Sequence, residues 1–267
     1  MIEIQDLVHV YEGGTRAVDG VSLRIRDGAR VAIVGQNGSG KSTLVRHLNG
    51  LLRPTAGRVL LDGVDAATRR VAQLAATVGL AFQDPDRQIF AGTVKAEVEF
   101  GPRNAGLRDA ALAEAVAAAL QATGLEGDSA TKPYDLGYSR RKLLALASVL
   151  AMRTPVVVLD EPTTGQDARG VRRVEAIVRD LGDAGRTVIA ISHDMRFVAD
   201  GFERVIVMRE GTVILDGAPA EVFAREHWPE LASTYLEPPL AARTGAALGL
   251  GSTPTDGRLI EALAGQR

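Results

Sequence analysis

The stretch RVAIVGQNGSGKSTL holds Gly35, Gly40, Lys41 and Ser42 in the spacing G-x-x-x-x-G-K-S. Glycines let a loop wrap closely, so that backbone N–H groups and the start of a following helix converge on phosphate oxygens. The loop so defined runs Gly35, Gln36, Asn37, Gly38, Ser39, Gly40, Lys41, Ser42 and Thr43. Lys41 then reaches the β- and γ-phosphates of a nucleotide, and the Ser42 hydroxyl ligates Mg²⁺. Lysine is scarce here, with Lys41, Lys95, Lys132 and Lys142 the only four. A turn that merely joined strand to helix would not need one of them directly after its last glycine.

A second group of reactive side chains lies in VVVLDEPTTGQD, which sets Asp160 and Glu161 at the C-terminal end of an apolar strand. In an open parallel sheet that edge is where ligands bind. Two adjacent carboxylates there divide the work. Asp160 holds Mg²⁺ through water, and Glu161 polarises an attacking water as general base. TVIAISHD ends a further buried strand with His193 on the same expected edge, in place to contact a γ-phosphate.

These groups need a sheet to hold them. RVAIVG is a continuous apolar run, the mark of a strand buried on both faces, and PVVVLDEP and TVIAISHD read the same way. VSLRIRDG alternates polar and apolar residues as a half-buried strand does, and GRVLLDG is another strand. KSTLVRHLNGLL reads as a helix, as does the span from about Ala168 to Leu181. Alanine dominates from Ala105 to Ala122, with Leu107, Leu112, Val116 and Leu120 on one side, a further helix. RVIVMREGTVILDG forms a hairpin turning at Glu210-Gly211. The expected fold is α/β, a mainly parallel sheet core with an antiparallel β subdomain and a helical insertion over 84–152. From Pro238 the tail is richer in Gly, Pro and Thr, and it regains a short helical pattern at Gly257–Ala264.

Composition narrows the partners. At 267 residues, 46% hydrophobic and 24% charged, the chain can build a substantial core. A net charge of −2 supplies no global basic field for nucleic acid or an anionic membrane. Cysteine is absent, which removes thiolate metal sites and fits a reducing cytosol. The start, MIEIQDLVHVY, reads as a strand and not as a signal sequence. The longest apolar run, Leu143 to Met152, is too short to cross a bilayer, so any membrane role must come through a partner.

One segment sits uneasily. YDLGYSRRKLLALASVLA, from Tyr134, becomes wholly apolar from Leu143 but begins with Arg140, Arg141 and Lys142. Ser139 is a candidate helix cap. Cations are poorly placed beside the positive end of a helix. They form either a solvated face or the lining of an anion site.

Taken together, residues 1 to about 230 resemble the ABC-type ATPase cassette. GQNGSGKST looks like its Walker A loop, VVVLDEP its Walker B strand and His193 its switch histidine. The resemblance implies that Gln83, in LAFQDP, is the glutamine that senses Mg²⁺ and the membrane partner. It implies that Tyr11 stacks on adenine, where the residues alone give an ordinary strand tyrosine. Asp167, in TTGQD, resembles the D-loop aspartate, with Gln166 where leucine is usual. FQDPDRQIF, GTVKAEVEFGP and the tail are similar to the energy-coupling-factor and cobalt-type subfamily. That implies an ATPase domain over 1–236 and a C-terminal extension over 237–267. It further implies ATP and Mg²⁺ as ligands, and the uptake of a vitamin or a transition metal ion. The partners implied are a second ATPase subunit, a transmembrane coupling subunit and a substrate-binding membrane subunit. Such a chain sits peripherally on the cytoplasmic face of the cell membrane.

The uneasy segment falls where the family carries Leu-Ser-Gly-Gly-Gln. This chain has Leu136, then Gly137, Tyr138, Ser139 and Arg140. In the family that helix start points at the γ-phosphate bound by the neighbouring subunit, an anion that would neutralise the cations. Tyr138 would crowd the close approach that glycine allows. The asymmetry suits a heterodimer whose partner carries a regular signature. A homodimer that uses Ser139 and Arg140 as donors is the other arrangement. Two further readings stay open: a soluble ABC-type ATPase outside transport, and a regulatory nucleotide-binding subunit with little hydrolysis.

Overall fold

The computed structural model describes residues 1–265 and divides them into two compact units. The first comprises Met1–Thr68 together with Ile191 onward, and the second Arg69–Ala190.

The first unit opens with strands β1 (Ile2–Val10), β2 (Arg16–Ile25) and β3 (Arg30–Val34), then helix α1 (Lys41–Leu48) and strands β4 (Ala56–Leu61) and β5 (Val64–Asp65). Four of these strands form an antiparallel sheet in the order β2-β1-β4-β5. Alternation carries β1: Ile2, Ile4 and Leu7 are buried, and the residues between them are not. The alternation slips at Asp6, where φ is 46° and the register shifts between Ile4 and Leu7. Strand β3 follows different rules. Val31, Ala32, Ile33 and Val34 are all buried, as expected of a strand covered on both faces.

The second unit contains α2 (Val71–Ala75), β6 (Val78–Ala81), α3 (Val94–Asn104), α4 (Asp109–Thr123), α5 (Tyr138–Ala151), β7 (Val156–Asp160), α6 (Ala168–Asp183) and β8 (Thr187–Ile191), the last residue of which falls in the first unit. Its strands lie in the order β8-β7-β6, with β6 and β7 parallel from Val78↔Val156 to Ala81↔Leu159. Between β6 and β7 the structure is helical, as the sequence implies. The expected helix from Ala105 is shorter than its alanine content suggests. Gly106 takes φ 100°, the chain breaks there, and α4 begins only at Asp109. Leu107 therefore lies outside it, while Leu112, Val116 and Leu120 are buried along one side.

The chain returns to the first unit with α7 (Met195–Gly201), β9 (Arg204–Arg209), β10 (Thr212–Gly217), α8 (Pro219–Val222), α9 (Trp228–Ala232), α10 (Leu240–Ala247) and α11 (Asp256–Ala264). Strand β9 runs parallel to β3 and antiparallel to β10, in the order β10-β9-β3. The hairpin turns at Glu210 and Gly211, with φ of 49° and 82°, as the sequence predicts. Positive φ at both turn residues matches the twist of the flanking strands. Helix α10 is an addition to the sequence reading. Ala241 and Ala242 are buried there, and the Thr253 hydroxyl donates to the Ala241 carbonyl at 2.8 Å.

Candidate functional site

Strand β3 delivers the chain into the loop at Gly35, and α1 carries it away from Lys41. Two glycines in this loop are dictated by space as well as by φ. A Cβ at Gly35, where φ is 143°, would lie 2.1 Å from the Met208 carbonyl oxygen. One at Gly40, where φ is 99°, would lie 2.1 Å from the Ala17 carbonyl oxygen. The Lys41 ammonium folds back across the loop, donating to the carbonyls of Gly35 at 2.6 Å and Gln36 at 2.8 Å, with Ser39 Oγ at 3.5 Å. No side chain caps α1, and no acidic residue lies in its first turn. A helix start of that kind offers its positive end to an external anion. Behind the loop, the Gln36 N–H donates at 2.8 Å to the hydroxyl of Thr234, a fully buried residue just beyond α9. Nothing in the sequence marks Thr234, because its partner lies 198 residues away.

Tyr11 follows β1 and is 38% exposed. Its hydroxyl meets Thr43 Oγ1 at 3.0 Å, and its ring stands edge-on to His9 with centroids 4.6 Å apart. His9 in turn meets His47 of α1, Nδ1 to Nε2, at 3.1 Å. The Thr43 carbonyl accepts from His47 Nδ1 at 2.7 Å. His47 Nε2 must then accept, so the His9 Nδ1–H donates to it. Burial holds the His47 imidazole below the usual histidine range, against the pull of that carbonyl, and His9 adds to the lowering. The pair ties the tyrosine to the first turns of α1. His193 stands exposed after β8, where Asp194 caps α7 by accepting from the Phe197 N–H at 3.0 Å.

In the second unit, Asp160 ends β7 and Glu161 follows it directly, each only 4% exposed. Glu161 takes φ 52°. The Thr164 hydroxyl donates to Glu161 Oε2 at 3.1 Å. Lys142 of α5 is buried as well, donating to the carbonyls of Glu161 and, at 2.9 Å, Thr164. Asp167 caps α6, its carboxylate accepting from the Gly170 N–H at 2.7 Å. Gln83 is exposed just after β6.

The start of α5 corrects one expectation. Gly137 stands at the cap position, so Ser139 does not cap the helix. Its hydroxyl donates to Gln166 Oε1 at 2.6 Å, and the Gln166 amide returns a bond to the Ser139 carbonyl at 3.1 Å. The three cations have partners within the chain. Arg140 pairs with Asp128; Arg141 lies 3.0 Å from Asp86 and donates to the Leu136 carbonyl at 2.7 Å; Lys142 is engaged as described. Tyr138 lays its ring over Gly165, where a Cβ would stand 2.8 Å from it.

Ile89 and Phe90, neighbours in FQDPDRQIF, part company. Ile89 is 3% exposed and Phe90 62%, the latter stacked edge-on against Phe100 at 4.7 Å. Ile89→Ser is expected to lower the melting temperature by about 5–15 °C, the scale of a buried aliphatic loss in a chain of this size. Phe90→Ser should shift it by no more than about 2 °C. Equal shifts in the two variants would contradict these positions.

A strand-loop-helix cradle with these glycines, this lysine and an uncapped helix start defines the phosphate-loop class of nucleotide-binding proteins. The sequence profile of the ABC transporter family matches residues 18–164. The energy-coupling factor transporter ATP-binding protein EcfA1 of Methanospirillum hungatei is 39% identical over 262 residues, covering 95% of this chain and 94% of its own. CbiO1 of Clostridium perfringens, described as part of the ABC transporter complex CbiONQ, aligns with a TM-score of 0.76 at 34% identity over 93% of this chain and 98% of its own. The ATP-binding cassette MJ0796, solved as a dimer in a post-hydrolysis state with ADP and phosphate, aligns with a TM-score of 0.76 at 26% identity over 82% and 98%. Two other curated relatives are longer, and this chain spans 43% and 39% of their length. The chain belongs to the ABC transporter family, as an ATP-binding protein of its energy-coupling-factor group.

Proposed function

We propose that this chain binds MgATP on the Gly35–Thr43 loop and hydrolyses it to power an uptake transporter of the energy-coupling-factor type. The cargo class is a vitamin or a transition metal ion. The observation that carries the reading is the cradle itself: two glycines that no side chain could replace, a lysine folded across them and a helix start with no acid of its own. Lys41 releases its loop carbonyls to meet the β- and γ-phosphates, and Tyr11 offers its half-exposed ring to the base. His193 contacts the γ-phosphate.

The residues assigned to Mg²⁺ are Ser42, Gln83 and Asp160. All offer oxygen, the donor a hard cation takes, and a nucleotide's own phosphates complete such a set. Among the described residues no cluster of three or more His, Asp or Glu could hold a metal by itself, which suits an ion brought with the nucleotide. When bound, the ion neutralises charge on the transferring phosphoryl group. Glu161 takes the proton of the attacking water.

Among the described residues no helix is long and apolar enough to cross a membrane. Membrane attachment therefore falls to partners: a transmembrane coupling subunit, with a substrate-binding subunit beside it. Phe90 and Phe100 supply an exposed aromatic pair for that contact. The chain then works from the cytoplasmic face. The ATPase domain is assigned to 1–236, with the helical subdomain at 84–152, and the extension to 237–267.

The second ATPase subunit is a different chain with a regular signature. Supporting this, Ser139 and Arg140 are already committed to Gln166 and Asp128, and Tyr138 fills the space glycine would leave open. The purified chain alone should therefore hydrolyse ATP slowly. Gly137→Ser, Tyr138→Gly, Ser139→Gly and Arg140→Gln made together should raise that rate, because a missing preorganised donor costs on the order of 10²–10³. Brisk hydrolysis by the unaltered chain, unchanged or lowered by the rebuild, would favour a homodimer served by Ser139 and Arg140.

A further inference from the structure

The carboxylate assigned as general base hangs from an unusual backbone. Glu161 lies at φ 52°, in the left-handed region that L-residues other than Asn and Asp rarely enter. Such a conformation persists only where its surroundings over-determine it. The group best placed to do so is Lys142. Its ammonium donates to the carbonyl of Glu161 itself and to that of Thr164 at 2.9 Å, while the Thr164 hydroxyl donates to Glu161 Oε2 at 3.1 Å. One cation thus grips both the turn and the residue that holds the carboxylate. Lys142 is only 6% exposed. Burying an ammonium is costly unless its donors are used, and hydrophobic residues of similar volume often serve stability as well or better. Burial also holds this ammonium below the ordinary lysine range, against the pull of the Glu161 and Asp160 carboxylates. A group retained at that cost needs a purpose beyond packing.

We propose that Lys142 is a positioning residue for hydrolysis, holding the left-handed turn that aims the Glu161 carboxylate. The proposal rests on the reading of Glu161 as general base. It explains why the helix start carries a lysine facing inward, which a charge run read as a solvated face would not require. It also ties the altered signature segment to the catalytic strand end within one chain, through Lys142, the Ser139–Gln166 pair and Tyr138 against Gly165.

Lys142→Met keeps an unbranched side chain and removes charge and donors. In the full-length chain it should leave ATP affinity within about twofold and lower kcat about 10–100-fold, the cost of misplacing a catalytic group by about an ångström. Lys142→Arg, which retains donors, should recover part of that loss. A melting series reads the same claim without turnover. Lys142→Met should lower the melting temperature in the wild-type chain, and by less than half as much in Glu161→Gly, where glycine adopts positive φ freely. Equal drops in the two backgrounds, or a kcat within twofold of wild type, would overturn the proposal. If the methionine variant does not fold, Lys142→Gln replaces it in both assays. Turnover retained by Glu161→Gln would instead sink the general-base reading, while the melting series still decides whether Lys142 holds the turn.

Discussion

Glu161→Gln should leave ATP affinity within about twofold of wild type and lower turnover by roughly 10²–10⁴, the usual contribution of a positioned general base. That span is about 3–5 kcal/mol of transition-state stabilisation. Glutamine keeps the shape of the side chain and can still accept from Thr164, so the turn at φ 52° survives the change. What disappears is the ability to take a proton. The assay is release of phosphate under saturating MgATP, beside equilibrium titration of the nucleotide. A variant that keeps more than half of the wild-type rate excludes Glu161 from the role. If the reading holds, the variant should also accumulate as a closed ATP-bound assembly with its partner.

Lys41→Ala should act on binding. A hydrogen bond to a charged partner is worth about 1.5–3 kcal/mol, so removing each ammonium–phosphate bond weakens affinity roughly 10–100-fold. The structure adds a second penalty. Lys41 is buried and bonded to the carbonyls of Gly35 and Gln36, so its removal slackens the loop before any nucleotide arrives. Lys41→Arg restores the charge but not the compact geometry and should recover little. Isothermal titration with ATP checks both variants. Unchanged affinity in Lys41→Ala would place the nucleotide elsewhere.

The features that could be read directly from the chain are those whose causes are local. Eight consecutive residues specify the phosphate loop, because glycines, lysine and helix start must be contiguous to wrap one phosphate. Strands β3, β7 and β8 declare themselves as unbroken apolar runs, and Glu210-Gly211 declares its hairpin. Where tertiary packing decides, the sequence was silent or misleading. Alanine-rich propensity concealed the break at Gly106, and α10 was invisible in a tail of mixed composition whose helix is fixed by burial of Ala241 and Ala242. Ile89 and Phe90 are neighbours of similar hydrophobicity, and only the turn after Pro85 sends one inward. The cations of α5 have partners 5 to 55 residues away, which their charge pattern alone does not reveal. Thr234 and the His9–His47 pair belong with them, for the same reason.

The most direct measurement is the identity of the nucleotide recovered after the full-length chain is incubated with MgATP and freed of excess ligand. Wild type should yield ADP, accumulating slowly over a long incubation. Glu161→Gln should yield intact ATP in comparable amount, and Lys41→Ala should yield almost none. ADP recovered equally from Glu161→Gln, or ATP retained in full by Lys41→Ala, would contradict the account at its centre.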